Sequence, residues 1–135
     1  MTARYSGSCL CGAVSFEFDG EFERFFLCHC QRCRKGSGTA HAANLFLSPE
    51  RFEWLAGADE VKAYRVPESR RVSCFCSICG SPVPTLNEEH GIVKVPAGCL
   101  DSPVPKRPDA HIFMASKADW DFDLADVPML DELPD

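Results

Sequence analysis

Nine cysteines in 135 residues, eight of them in three tight groups, constrain this chain more than any other feature. The groups read Cys9-Leu-Cys11-Gly12, Cys28-His-Cys30-Gln-Arg-Cys33 and Cys74-Phe-Cys76-Ser-Ile-Cys79-Gly80, and Cys99 stands alone. An odd number cannot all pair as disulfides within one chain. Side chains at i and i+2 of an extended segment share a face, so a C-x-C pair can aim two sulfurs at one point. A C-x-x-C pair does so from a tight turn, to which a following glycine gives room. Zinc prefers tetrahedral thiolate coordination with Zn–S of about 2.3 Å. The spacing therefore predicts zinc ligation. Cys9, Cys11, Cys76 and Cys79 can complete one closed site, leaving Cys28, Cys30 and Cys33 as three ligands with a position open for a fourth. Spacing alone does not settle the pairing. Cys74 could replace Cys9 or Cys11, the first two groups could share an ion, or Cys74, Cys99 or a histidine could close the second site.

The length fits one domain able to bury a hydrophobic core. The net charge of −6 is uneven: seven acidic residues and no basic one follow Lys117. The reading is one zinc domain over residues 1–122 and an acidic C-terminal tail, mobile or loosely docked, over 123–135. Overall acidity argues against nucleic-acid binding, which calls for a basic stripe. No apolar run approaches the roughly 20 residues of a membrane span. Met1 to Gly7 contain no apolar leader, so a cytoplasmic location is expected. Disulfides are rare there, which again favours metal ligands or reactive thiols.

Val14, Phe16 and Phe18 alternate with polar residues, predicting a strand that ends at Asp19-Gly20. Further strands are expected at 24–28, 42–47, 51–55, 61–66, 71–76, 92–95 and 110–115. Cys30 to Gly38 reads as a knuckle with one short helical turn. Pro82 and Pro84 disfavour a central strand at that point. Many short strands broken by turns predict an all-β domain.

Several segments resemble the glutathione-dependent formaldehyde-activating enzyme family, also called centromere protein V-like. They are Gly7-Ser-Cys9-Leu-Cys11-Gly12-Ala-Val-Ser-Phe16, Cys28-His-Cys30-Gln-Arg-Cys33-Arg-Lys-Gly-Ser-Gly38 and Phe75-Cys76-Ser-Ile-Cys79-Gly80-Ser-Pro82. Ala97-Gly-Cys99-Leu-Asp101, Pro108, His111-Ile-Phe113, Lys117 and Trp120 extend the likeness toward the C-terminus. The resemblance implies a β-tent of short antiparallel sheets. It implies a structural zinc on Cys9, Cys11, Cys76 and Cys79, and a second zinc on Cys28, Cys30 and Cys33 where glutathione acts. The implied activity is that of a carbon–sulfur lyase joining a small thiol to formaldehyde. Arg32, Arg34 and Lys35 flank the second site and could pair with substrate carboxylates. His29, between two ligands, is read as packing or supporting the site, and His111 and Phe113 as serving the core. Cys74 is read as a spare core thiol, and Cys99 as a core or reactive thiol near the pocket. The competing readings are a non-catalytic zinc-binding module and a thiol or zinc sensor.

Overall fold

The structure, a computed structural model, describes residues 3–134. Eleven short strands follow in order: β1 (Ala3–Ser8), β2 (Ser15–Gly20), β3 (Arg24–Cys28), β4 (Ala42–Leu47), β5 (Arg51–Ala56), β6 (Val61–Arg65), β7 (Val72–Cys76), β8 (Pro82–Val83), β9 (Thr85–Asn87), β10 (Ile92–Pro96) and β11 (Ala110–Ile112). One helix, α1 (Gln31–Ser37), lies between β3 and β4. The fold is an all-β tent of three small sheets, ordered β1-β2-β5, β11-β3-β4-β10-β9 and β6-β7-β8. Pairing is antiparallel except for β11, which runs parallel to β3. No described helix is long and apolar enough to cross a membrane.

Alternation along the strands builds the core between the first two sheets. Tyr5, Phe16 and Phe18 point inward from the first sheet and meet Phe25, Leu45, Leu47, Val93 and Val95 from the second. Phe16, Phe18 and Phe52 stack with ring centroids about 6 Å apart, within the range of favourable aromatic pairs. The third sheet carries much less apolar weight. Its cluster is Cys9, Val14, Cys76 and Val83, so two of its four buried residues are cysteines.

Most expected strands form within a residue or two of their predicted limits. β1 and β9 were not anticipated, since Ala3–Ser8 and Thr85–Asn87 carry weak patterns and pair only because neighbours present free edges. The two-residue β8 sits at an edge of its sheet, where proline costs no ladder bond. The expected strand over 110–115 stops at Ile112. Phe113 adopts a left-handed φ of 57°, and Met114–Ser116 form a 3-10 turn. Phe113 is 64% exposed and His111 is also exposed, so neither serves the core. The helical turn expected near Cys30 is a seven-residue helix.

On the outer face of the first sheet, Arg51 bridges Glu17 at 2.9 Å, Asp19 at 3.1 Å and Glu53 at 2.7 Å, while Arg4 reaches Asp19 at 2.9 Å. Hydrogen bonds from Arg4 and then Arg51 hold the Asp19 carboxyl down to about 2.

Two outcomes follow for stability. Phe18→Ala, at a fully buried site, should cost about 3–5 kcal/mol in denaturant unfolding of the metal-loaded protein. The Asp19 contribution is present above its unfolded pKa of about 3.9 and is lost as pH falls through its folded value. Stability measured from pH 4 down to pH 2 should therefore fall less steeply in Asp19→Asn than in the natural chain; equal slopes would refute the assignment.

Candidate metal centre

The first and third cysteine groups meet. The turn after β1 carries Cys9 and Cys11, while Cys76 ends β7 and Cys79 lies in the turn that follows it. Each turn closes on a backbone bond: Gly12 N donates to Cys9 O at 3.1 Å, and Gly80 N to Cys76 O at 2.7 Å. Both glycines take left-handed φ angles, 82° and 77°, in open space, so it is the backbone conformation that calls for glycine there. Backbone N–H groups face the sulfurs: Val14 N lies 3.2 Å from Cys9 Sγ and Ile78 N 3.4 Å from Cys76 Sγ. Ser81 Oγ ties the turns together, accepting from Leu10 N at 3.0 Å and standing 3.1 Å from Cys79 Sγ.

The four sulfurs lie within 4.8 Å of one another. Cys9 and Cys11 are 3.6 Å apart, and Cys11 and Cys76 are 3.8 Å apart. A tetrahedral ion with Zn–S near 2.3 Å places its sulfurs roughly 3.8 Å apart, so this donor set fits zinc. A disulfide needs about 2.05 Å, and every cysteine is a free thiol. Electrostatics agrees. Hydrogen bonding from Ser81 draws the Cys79 thiol down to about 5. Cys11 is pushed up to about 11: a backbone hydrogen bond from Ala13 opposes the rise, and burial and the adjoining sulfurs drive it. Thiols this close cannot all ionise unless a cation offsets their mutual repulsion.

The second group forms its own cluster. β3 delivers Cys28, and Cys30 caps the N-terminus of α1, its sulfur accepting from Cys33 N at 3.3 Å. Cys33 follows on the buried face of the helix. The sulfurs of Cys28, Cys30 and Cys33 also lie within 4.8 Å, and among the described residues no fourth cysteine, histidine or carboxylate joins them. Burial, then Cys28 and Cys30, push the Cys33 thiol up to about 12. Arg71 Nη2 donates to Cys33 Sγ at 3.0 Å.

Behind this cluster stands His29, only 2% exposed. Its Nε2 is 2.8 Å from His111 Nδ1. Its Nδ1 lies 3.0 Å from Asp121 Oδ2 but is poorly aligned for a hydrogen bond. Burial, then His41, push the His29 pKa down against the pull of Asp121. His29 thus supports the three-cysteine loop from outside the cluster and links it to the chain's last turns.

The sequence model of the family described as "Glutathione-dependent formaldehyde-activating enzyme" matches residues 4–116, a span that holds all nine cysteines. The chain belongs to the glutathione-dependent formaldehyde-activating enzyme family. A Halomonas elongata protein named "Putative glutathione-dependent formaldehyde-activating enzyme" is 30% identical over 125 residues, covering 84% of this chain and 77% of the relative. The fold is similar to a crystal structure of a Rhodobacter sphaeroides protein, with a TM-score of 0.55, 23% identity, and coverage of 78% of this chain and 98% of that one.

In this family member two cavities, about 740 and 1040 Å³, open beside the three-cysteine cluster. Cys33, Asn44, Arg71, Thr85 and Lys94 line both, and Cys28 lines the larger. Cys74 and Cys99 line the smaller one and join neither cluster. Burial pushes the Cys99 thiol up to about 12, so it is a poorly ionised thiol at the pocket wall. Arg32, Arg34 and Lys35 lie on α1 and line neither cavity. Lys94 went unnoticed in the sequence. Its signal was a lone cation among β-branched residues, Ile92-Val93-Lys94-Val95, where alternation sets it opposite the buried valines.

The two clusters should respond differently to loss of a ligand. Structural zinc contributes roughly 10–16 kcal/mol in small domains, comparable with or above a typical fold's stability of about 5–15 kcal/mol. Cys76→Ser, like chelation, should unfold or partly unfold the domain by circular dichroism. Cys33→Ser should keep the spectrum and lose about one metal ion per chain by elemental analysis. Equal collapse in both variants would show that the second cluster is structural as well.

Proposed function

We propose that this chain is a zinc-dependent carbon–sulfur lyase of the formaldehyde-activating type, combining a small thiol such as glutathione with an aldehyde carbon or releasing it. The observation that carries the proposal is the contrast between the clusters. Four sulfurs close on each other at one, whereas the three at the other adjoin a cavity and gain no further protein ligand among the described residues. In this reading Cys9, Cys11, Cys76 and Cys79 hold a structural zinc, and Cys28, Cys30 and Cys33 hold a second one. Zinc bound by three thiolates supplies a soft Lewis acid that favours the ionised form of an incoming thiol at neutral pH. The family name and the Halomonas relative support glutathione and formaldehyde as the reactants.

The chain's own residues do the placing. Cys33 marks the point where both cavities meet the cluster, and Arg71 holds the Cys33 sulfur at 3.0 Å. In the addition, the substrate sulfur forms a bond to the carbonyl carbon, the C=O π pair moves onto oxygen, and the thiol proton ends on that oxygen. The reverse step returns both reactants. A free thiol with pKa near 8.5 is only a few per cent ionised at neutral pH, so full ionisation is worth roughly 30-fold, or about 2 kcal/mol. The remaining acceleration comes from holding thiol and aldehyde together within the cavity.

Cobalt-substituted protein titrated with glutathione should develop a new thiolate-to-metal charge-transfer band, and Cys33→Ser should abolish it. A folded cobalt protein that shows no new band with glutathione would refute the reading.

A further inference from the structure

The second sheet has two chemically different faces. Val93 and Val95 of β10, Leu45 and Leu47 of β4 and Phe25 of β3 enter the core. The intervening residues line the cavities: Lys94, Asn44, Phe46, Phe26 and Cys28. Lys94 pairs across strands with Thr85 and with Phe46, so Lys94 and Thr85 stand side by side on that face. Arg71 enters from just before β7. Arg65 and Arg70 line the larger cavity as well.

The net charge of −6 makes this concentration of cations unusual. Among the described lysines and arginines, ion pairs occupy Arg4, Arg51 and Lys106; Arg65, Arg70, Arg71 and Lys94 are among the others, which have no carboxylate partner. Lys94 Nζ uses one donor, on Val72 O at 3.0 Å, and has two more to offer. Arg71 directs one side-chain N–H at Cys33 and has others free. Beside them Thr85 Oγ1 is buried with no hydrogen-bond partner, as is His41 Nδ1 in the smaller cavity. Unpaired buried polar groups are costly and call for a partner. The carboxylates on the lining are Glu88 and Glu89, both exposed in the turn before β10, and Asp101, which accepts from Ser8.

We propose that Arg71 and Lys94, with Asn44 and Thr85, form an anion-recognition site that selects a thiol carrying a carboxylate. The proposal rests on the thiol reading of the three-cysteine cluster and assigns the residues that hold the carboxylate of that thiol. It assigns carboxylate recognition to these residues and not to Arg32, Arg34 and Lys35 on α1. Arg71 donates to Cys33 and Lys94 lines the same two cavities as Cys33, so a carboxylate held between the cations leaves the rest of a small thiol within reach of the cluster. A guanidinium and an ammonium on one carboxylate make charge-assisted hydrogen bonds, which are stronger than neutral ones.

The test uses S-methylglutathione, which keeps both carboxylates but has no free thiol, and its diethyl ester, which masks them. Binding to zinc-loaded protein is measured by calorimetry. The free acid should bind about tenfold or more tighter than the diester. Lys94→Met and Arg71→Gln, checked for folding by circular dichroism, should each erase most of that preference. Equal affinities, or no measurable binding of the free acid, would overturn the proposal without recourse to any variant. So would a preference that survives Lys94→Met and is lost in Arg32→Ala or Lys35→Ala. Because neither compound can ligate through a thiolate, failure here is separate from failure of the thiol reading, which shows as a missing charge-transfer band with glutathione itself.

Discussion

Four sulfurs brought within 4.8 Å of one another make a donor set that fits a metal ion, and they join the third sheet of this protein to the turn after β1. The sheet of β6, β7 and β8 buries little apolar surface of its own. It packs on the turn after β1, where the buried cluster is Cys9, Val14, Cys76 and Val83 with Ala13, Trp54 and Val61 against it. Metal ligation across the two turns would supply the link that aromatic packing supplies between the first two sheets.

Once the third sheet is held, it forms a wall facing the second. The second sheet is covered on one side by the phenylalanines of β2 and leaves its other side to line cavities. Its strands alternate, so residues next to core positions are available for chemistry at no cost to packing. Cys28 and Phe26 on β3, Asn44 on β4 and Lys94 on β10 reach the cavity by this arithmetic. The third sheet adds Arg71 from the opposite side. The four-cysteine and three-cysteine clusters are thus linked through one strand: β7 ends at Cys76 and begins just after Arg71, which reaches Cys33.

Much of the fold was legible in the chain because its signals are local. Phe16 and Phe18 announce a half-buried strand, Pro82 and Pro84 demote β8 to an edge, and Gly12 and Gly80 mark the turns that carry cysteines. β1 and β9 were not legible, because Ala3–Ser8 and Thr85–Asn87 become strands only by pairing with partners distant in sequence. A strand at β11 was expected from the sequence, but its parallel pairing with β3 was not legible, for the same reason. Phe113 looked like a core residue by type, yet a left-handed backbone turns it to solvent. The basic run Arg32, Arg34 and Lys35 stood out by its nearness to Cys33 in sequence, but adjacency on a short helix does not place side chains in a cavity.

The chain by itself determined that sulfurs would come in sets of two and three, that short strands would alternate, and that zinc was the ion such sets suit. These follow from spacing within a few residues, where backbone geometry leaves few options. Which sets would meet was decided in three dimensions. Cys11 and Cys76 are 65 residues apart, and their 3.8 Å approach depends on how two sheets pack. The same holds for Arg71 beside Cys33 and Lys94 beside Thr85. Parity along a strand says which face a side chain takes, and only the packed fold says what stands opposite it.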